Sequence, residues 1–145
     1  MDKTTIFDNL FVFDMANNHQ GNVEHGRKII SAISEICKEK NIKGVIKFQY
    51  RHLNTFIHPD YRNATTPKHI LRFLNTRLTE DEFKILVDDI KRNGLITMCT
   101  PFDEESVTLI EHHEIEIIKI ASCSAQDWPL LERIAIARKP VVCST

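Results

Sequence analysis

Short apolar runs and amphipathic stretches alternate from one end of this chain to the other, and that alternation limits the folds open to it. The first run, Leu10 to Ala16 (LFVFDMA), is rich in Phe and Val and reads as a buried strand. From Glu24 to Lys40 the apolar residues Ile29, Ile30, Ile33, Ile36 and Cys37 fall on one face of a helix. Gly44 to Tyr50 (GVIKFQY) is a second strand. Thr79 to Glu82 forms a capping box, opening a helix that buries Phe83, Leu86, Val87 and Ile90 and stops at Gly94. Leu95 to Thr100 is a third strand, and Asp103 caps the helix after it. Ile115 to Ala121 is a fourth strand. Asp127 caps a last helix with Leu130, Leu131, Ile134 and Ala135, and Pro140 to Thr145 is a fifth strand.

Strands separated by single helices are parallel, with right-handed crossovers. The fold class is therefore α/β, with about five strands and four helices. Two architectures fit. An open flavodoxin-like sheet is complete with five strands. A (β/α)8 TIM barrel needs roughly 250 residues, so these 145 residues correspond to the first part of one. The absence of a helix after the last run favours the partial barrel. One connection breaks the regularity: Arg51 to Leu78 is long for a strand-to-helix loop, as functional loops often are. Thr66-Pro67 starts a short helix inside it, with Ile70, Leu71, Phe73 and Leu74 on one face.

Composition narrows the function. Nineteen basic residues against twenty acidic ones give a net charge of −1, which argues against nucleic acid or an anionic membrane as partner. No apolar run approaches the ~20 residues of a membrane crossing, and the first residues do not resemble a signal peptide. The expected location is cytoplasmic. Cys37, Cys99, Cys123 and Cys143 lie too far apart for a zinc site and read as reduced, buried hydrophobes. His25, His52, His69, His112 and His113 read as surface positions, and Trp128 as a packing residue at a helix start. His58, Tyr61 and Arg62 in the long connection are better functional candidates.

Strands buried on both faces normally read as continuous apolar runs, so their polar exceptions are informative. The first strand carries Asp14, the second Lys47 and Gln49, the fourth Lys119 with Ser122 after it. The third ends in Thr100 and the fifth in Ser144 and Thr145. Ligands of α/β folds bind at these carboxyl ends. Two interior ammoniums among hydroxyls suit an anion such as a phosphate, whereas pairing with Asp14 or Glu116, or snorkelling out of the sheet end, is the structural alternative. The turn Asn17-Asn-His-Gln-Gly21 gathers amides and an imidazole at the same end.

These residues also carry a resemblance. The blocks Asp14-Met-Ala-Asn-Asn-His-Gln-Gly21, Val45-Ile-Lys-Phe-Gln49, Thr100-Pro-Phe-Asp103, Lys119-Ile-Ala-Ser122 and Lys139-Pro-Val-Val-Cys-Ser-Thr145 run in family order. The chain thereby resembles the N-terminal part of the sialic acid synthases, the N-acetylneuraminate synthase family of phosphoenolpyruvate-dependent condensing enzymes. The resemblance implies a (β/α)8 barrel, usually followed by a small antifreeze-protein-like domain, in a domain-swapped homodimer. It implies attack of phosphoenolpyruvate carbon 3 on the aldehyde of an N-acylmannosamine or its 6-phosphate. Water then adds at carbon 2 and phosphate leaves by C–O cleavage, giving a nonulosonic acid. A divalent metal, Mn2+ or Mg2+, polarises the aldehyde in that family, with its histidine ligands on later strands, so no metal ligand is expected in this chain.

Carried over by position, Lys47, Gln49, Lys119, Ser122 and Ser144 would hold phosphoenolpyruvate. Asp14, Asn18 and His19 would meet the sugar, and Asp14, Lys47 and Lys119 would act in catalysis. Asp14 stands where the family has a Glu, one methylene longer. The resemblance leaves two alternatives: a related legionaminic or pseudaminic acid synthase, and a non-catalytic half-barrel that binds an anion or a partner chain.

Overall fold

Capping chemistry sets most of the helix boundaries. The computed structural model describes residues 5–62 and 67–145. Helix α1 (Val23–Lys40) starts at Asn22, whose side chain accepts from the His25 amide, and ends at Asn41 in the left-handed region. Two short helices follow inside the long connection, α2 (Leu53–Phe56) and α3 (Lys68–Asn75). Helix α4 (Glu80–Arg92) has the complete capping box of Thr79 and Glu82. Asp103 caps α5 (Glu104–His112) and Asp127 caps α6 (Trp128–Ile136). The helix inside the long connection begins at Lys68; Thr66, the expected start, lies outside the described residues.

Five strands, β1 (Leu10–Ala16), β2 (Lys43–Tyr50), β3 (Ile96–Pro101), β4 (Ile117–Ile120) and β5 (Val141–Cys143), form one parallel sheet. Its order is β1-β2-β3-β4-β5. A flavodoxin-like sheet exchanges the first two strands in space, so the order selects the barrel: the fold is the α/β arc of a partial TIM barrel. The strands expected at 115–121 and 140–145 are shorter than their apolar runs, because only the central residues of each pair with a neighbour.

Alternation along the strands separates two apolar clusters. Met15, Ile46, Phe48, Tyr50, Cys99, Ile118 and Ile120 face the helices and join Ile30, Leu86, Ile90 and Ile110 in the main core. Val45, Met98 and Ile117 face the other way and form a small cluster with Leu10, Ile96 and Val142. This second face is the barrel interior, and Asp14, Lys47, Gln49 and Lys119 share its parity.

Some expectations for single residues change. Cys37 and Cys99 are buried, but Cys123 and Cys143 are exposed at the carboxyl ends of the sheet. Trp128 is 69% exposed rather than packed, because it starts α6 on the outer surface. Phe11 and Val12 on the edge strand β1 are about half exposed. His113 is buried, not on the surface: it ends α5 against the sheet, and its Nδ1 lies 3.0 Å from the Tyr50 hydroxyl.

The pH dependence of stability follows from His113 and His19, which burial chiefly holds at a pKa of about 4, below the ordinary 6.5. A neighbouring histidine adds to the depression in each case, and the Asp88 and Asp81 carboxylates near His113 only partly oppose it. Both rings are neutral in the folded state, whereas the unfolded chain protonates them near pH 6.5. Their stabilisation is therefore full above pH 6.5 and is lost as the pH falls toward about 4. The thermal midpoint is expected to drop across that window, and the double variant His19→Gln, His113→Gln to flatten the drop; an unchanged slope in calorimetry would show that other groups carry it.

Candidate functional site

In-register pairing places the polar exceptions of neighbouring strands side by side. Asp14 lies opposite Lys47 in the β1–β2 ladder, and the Lys47 ammonium is 2.9 Å from an Asp14 carboxylate oxygen. The ladder shifts register between Asp14 and Ala16, and Ala16 takes a φ of 44°. An irregularity of this kind re-aims the chain at a strand end, and here it launches the amide-rich turn. The Lys47 side chain is 15% exposed and the Asp14 side chain 50%. This pair thus takes the structural alternative for Lys47 while keeping the carboxylate open to solvent.

Lys119 has a different environment. Its ammonium donates to the Ile120 carbonyl at 2.7 Å and to the Ser144 hydroxyl at 2.6 Å, and no carboxylate pairs with it among the described residues. Glu116, the other carboxylate considered, accepts instead from the Thr97 amide and hydroxyl. Burial first, and then the nearby Lys47 charge, lower the pKa of Lys119. Lys47 thus opposes the charge of Lys119, while the Asp14 carboxylate is bonded to Lys47 on the side away from β4. Thr100 pairs with Gln49 in register and is buried beside them. Ser122 opens the turn after β4 and is exposed. The strand ends thus bring Asp14, Lys47, Gln49, Lys119 and Ser144 to one edge of the interior face.

The amide turn forms a second feature. Asn17, Asn18 and Gln20 line a cavity of about 390 Å3 together with Ala16, Gln49, Arg72 and Thr76. Donors and acceptors of neutral amides, with one guanidinium, suit a polyhydroxylated ligand. His19 does not line this cavity. Its ring is buried edge-on against Phe83, and Nδ1 accepts from the Gly21 amide at 3.1 Å. Gly21 has a φ of 69°, and a Cβ there would stand 3.1 Å from the Asn75 carbonyl oxygen, so glycine seats the turn on the end of α3.

A larger cavity, about 600 Å3, lies between the long connection and helices α4 and α5. It reaches the strand ends through Asn17, Gln49, Tyr50 and Arg51, and neither cavity is lined by Lys47 or Lys119. The lysine cluster is therefore a charged edge of the sheet, not the floor of either hollow. His58 and Tyr61 are exposed on the long connection, and Arg62 is tied back to the carbonyls of Ile57 and Asn54.

Sequence reasoning missed Arg51, Arg72 and Thr76. Arg51 carried a signal, because a cation stands two residues beyond the polar Gln49, just past the end of β2. Arg72 on α3 and Thr76 at its C-cap reach the strand ends only through the tertiary path of the long connection.

The NeuB family model matches residues 36–145. The structure of spore coat polysaccharide biosynthesis protein E from Chromobacterium violaceum is 56% identical, with a TM-score of 0.91. The alignment covers 95% of this chain and 41% of that one. An N-acetylneuraminic acid (sialic acid) synthetase from Leptospira borgpetersenii is 21% identical at a TM-score of 0.75, over 93% of this chain and 43% of that one, and shares the fold. The uncharacterized protein MJ1065 of Methanocaldococcus jannaschii is 28% identical over 128 residues, covering 88% of this chain and 35% of its own length. The chain thus spans less than half the length of each of these relatives.

The charge arrangement makes a direct prediction. Lys119 is expected to lose its proton below the ordinary lysine value of 10.5, and Lys47→Met to move it part of the way back up, since one of the two opposing influences is gone. An NMR titration of the lysine side-chain carbons reads both; a Lys119 that ignores Lys47→Met would mean the two charges do not meet.

Proposed function

This chain belongs to the NeuB family, and from that premise we propose that its protein is a sialic-acid-type synthase condensing phosphoenolpyruvate with an N-acylmannosamine or its 6-phosphate. The observation that carries the reading is Lys119: a partly buried ammonium beside Lys47, bonded only to the Ile120 carbonyl and the Ser144 hydroxyl, with no carboxylate of its own among the described residues. Such a cation is stabilised by a bound anion, and phosphoenolpyruvate supplies both a phosphate and a carboxylate.

In this reading Lys47 and Lys119 hold the two anionic groups, Ser122 and Ser144 donate hydroxyl hydrogens to them, and Gln49 adds an amide. Fixed cations help twice, because the charge on phosphate and carboxylate persists while water adds at carbon 2. Asp14, hydrogen-bonded to Lys47 and half exposed, is the carboxylate placed to exchange a proton with the sugar. Asn17 and Asn18, in the adjoining amide-lined cavity, meet the sugar hydroxyls. The buried His19 supports the turn that presents them.

The described residues do not fit a metal site: no three of their His, Cys, Asp or Glu side chains converge. A divalent Mn2+ or Mg2+ belongs to the proposal as an ion held by residues outside this set, and the steps above use none. Homodimer formation is proposed on the family resemblance. No helix among the described residues is long and apolar enough to cross a membrane, and a cytoplasmic location is part of the proposal. The 56% identity to a spore coat polysaccharide biosynthesis protein favours a product destined for a surface polysaccharide. Asp14, one methylene shorter than the family Glu, makes a related nonulosonic acid synthase the second reading. Product mass with different hexosamines separates the two.

Two variants of the complete protein test the roles. Lys119→Met is expected to abolish protection by phosphoenolpyruvate against thermal unfolding, and unchanged protection would make Lys119 structural. Asp14→Asn is expected to leave phosphoenolpyruvate affinity undiminished while lowering turnover by about 10²-fold or more, the usual contribution of a positioned proton-transfer group; wild-type turnover would remove the carboxylate from the chemistry. The affinity itself is expected to fall as the pH rises through the depressed Lys119 pKa, because the deprotonated amine must regain a proton to bind the anion.

A further inference from the structure

Arg51 is a partly buried cation with no ion pair among the described residues. Its guanidinium carbon lies 3.9 Å from the ring centre of Phe102, 4.4 Å from that of Phe73 and 5.9 Å from that of Phe56. These rings come from the β3–α5 turn, from α3 and from α2, so one planar group joins three segments around the end of β2. Asp103, the nearby carboxylate, is committed elsewhere: its two oxygens accept from the His52 and Ser106 amides. The one side-chain hydrogen bond of Arg51 runs from Nη2 to the Gln49 side-chain oxygen at 3.0 Å, while Nε finds no partner among the described residues.

That bond decides which way the Gln49 amide faces. A guanidinium only donates, so the oxygen of Gln49 must turn toward it and the NH2 group must turn away. Burial lowers the Arg51 pKa to about 10, which still leaves it charged near neutral pH. Gln49 lines both cavities and stands two residues beyond Lys47 on the same strand face. Released from Arg51, the amide could rotate and present its oxygen to the site. A ligand made of phosphate and carboxylate oxygens offers acceptors only, and would be repelled by that oxygen.

We propose that Arg51, clamped by Phe102 and Phe73, is a positioning residue that locks Gln49 as a hydrogen-bond donor for the all-acceptor face of phosphoenolpyruvate. The proposal rests on the synthase reading above and adds to it the residue that orients the anion site. It accounts for a cation kept in an aromatic clamp and bonded to a neutral amide, an arrangement that stacking alone would not require. It also explains the planar fork: a lysine ammonium cannot stack between rings and hold one amide in a fixed plane.

The test is a double-mutant cycle on the complete protein, titrated with phosphoenolpyruvate by calorimetry: wild type, R51M, Q49M and the double variant. Each single change is expected to weaken binding about tenfold, as for one lost charge-assisted hydrogen bond. The double variant is expected to bind no more weakly than Q49M alone. Additive losses would show that Arg51 acts independently of Gln49 and overturn the proposal, as would wild-type affinity in R51M or Q49M. Should R51M fail to fold, R51K replaces it in the same cycle, with the same non-additivity expected and the same outcomes overturning it. A clamp that served stability alone would lower the thermal midpoint without this coupling. Wild-type protein that does not bind phosphoenolpyruvate would instead sink the synthase reading, and the proposal with it.

Discussion

The in-register parallel ladder between β1 and β2, and again between β4 and β5, is the constraint on which the site depends. Because side chains alternate along each strand and neighbouring strands run together, residues of one parity from different strands fall in rows across the interior face. Asp14 meets Lys47 across one ladder. At the other, Lys119 pairs with Val142, and its ammonium reaches Ser144 beyond the strand end. A slip of one residue in either ladder would turn these groups into the helix-packed core, where Phe48, Tyr50, Cys99 and Ile118 now sit. The apolar packing of that core therefore also holds the charged row in place.

Charge at this edge is unbalanced. The one carboxylate, Asp14, pairs with Lys47 and is the more exposed partner, while Lys119 has only the Ile120 carbonyl and the Ser144 hydroxyl. Burying a cation without a counter-charge costs several kcal/mol unless the site supplies one or the group loses its proton, and the depressed Lys119 pKa records that tension. Arg51 shows a second solution to the same problem. Its charge is spread over a plane that aromatic faces cover, so it stays ionised without a carboxylate. Arg51 bonds Gln49, and Gln49 shares a strand face with Lys47, which makes this strand end the junction between the charged row and the amide-lined hollow beside it.

Much of this was legible in the residues. The five runs, the four crossover helices and the caps at Thr79, Asp103 and Asp127 follow from local chemistry, and each appears in the structure. Lys47 and Lys119 were visible as charges in apolar strands, since alternation alone puts them on a defined face. His113 and Trp128 were not legible. A histidine at a helix end and a tryptophan at a helix start look alike in sequence whichever way they turn, and only the packing of α5 and α6 on the sheet separates the buried one from the exposed one. The surroundings of His19 were not legible either: its ring is buried against Phe83 while its neighbours Asn17, Asn18 and Gln20 line the cavity at the strand end.

The sequence by itself determined the parallel α/β class, the positions of the strands and helices, and which polar residues stand at the strand ends, because these depend on periodicity and capping over a few residues. Tertiary structure decided the rest: that β1 pairs directly with β2 in the barrel order, that Asp14 neutralises one lysine and leaves the other to Ser144, and that Arg51 reaches Phe102 and Phe73. Those relations join residues as many as 51 positions apart, as the bond from the His52 amide to Asp103 does. The first two depend on strand order and register, and the Arg51 contacts on where the long connection between β2 and α4 lays its side chains; no local periodicity encodes either.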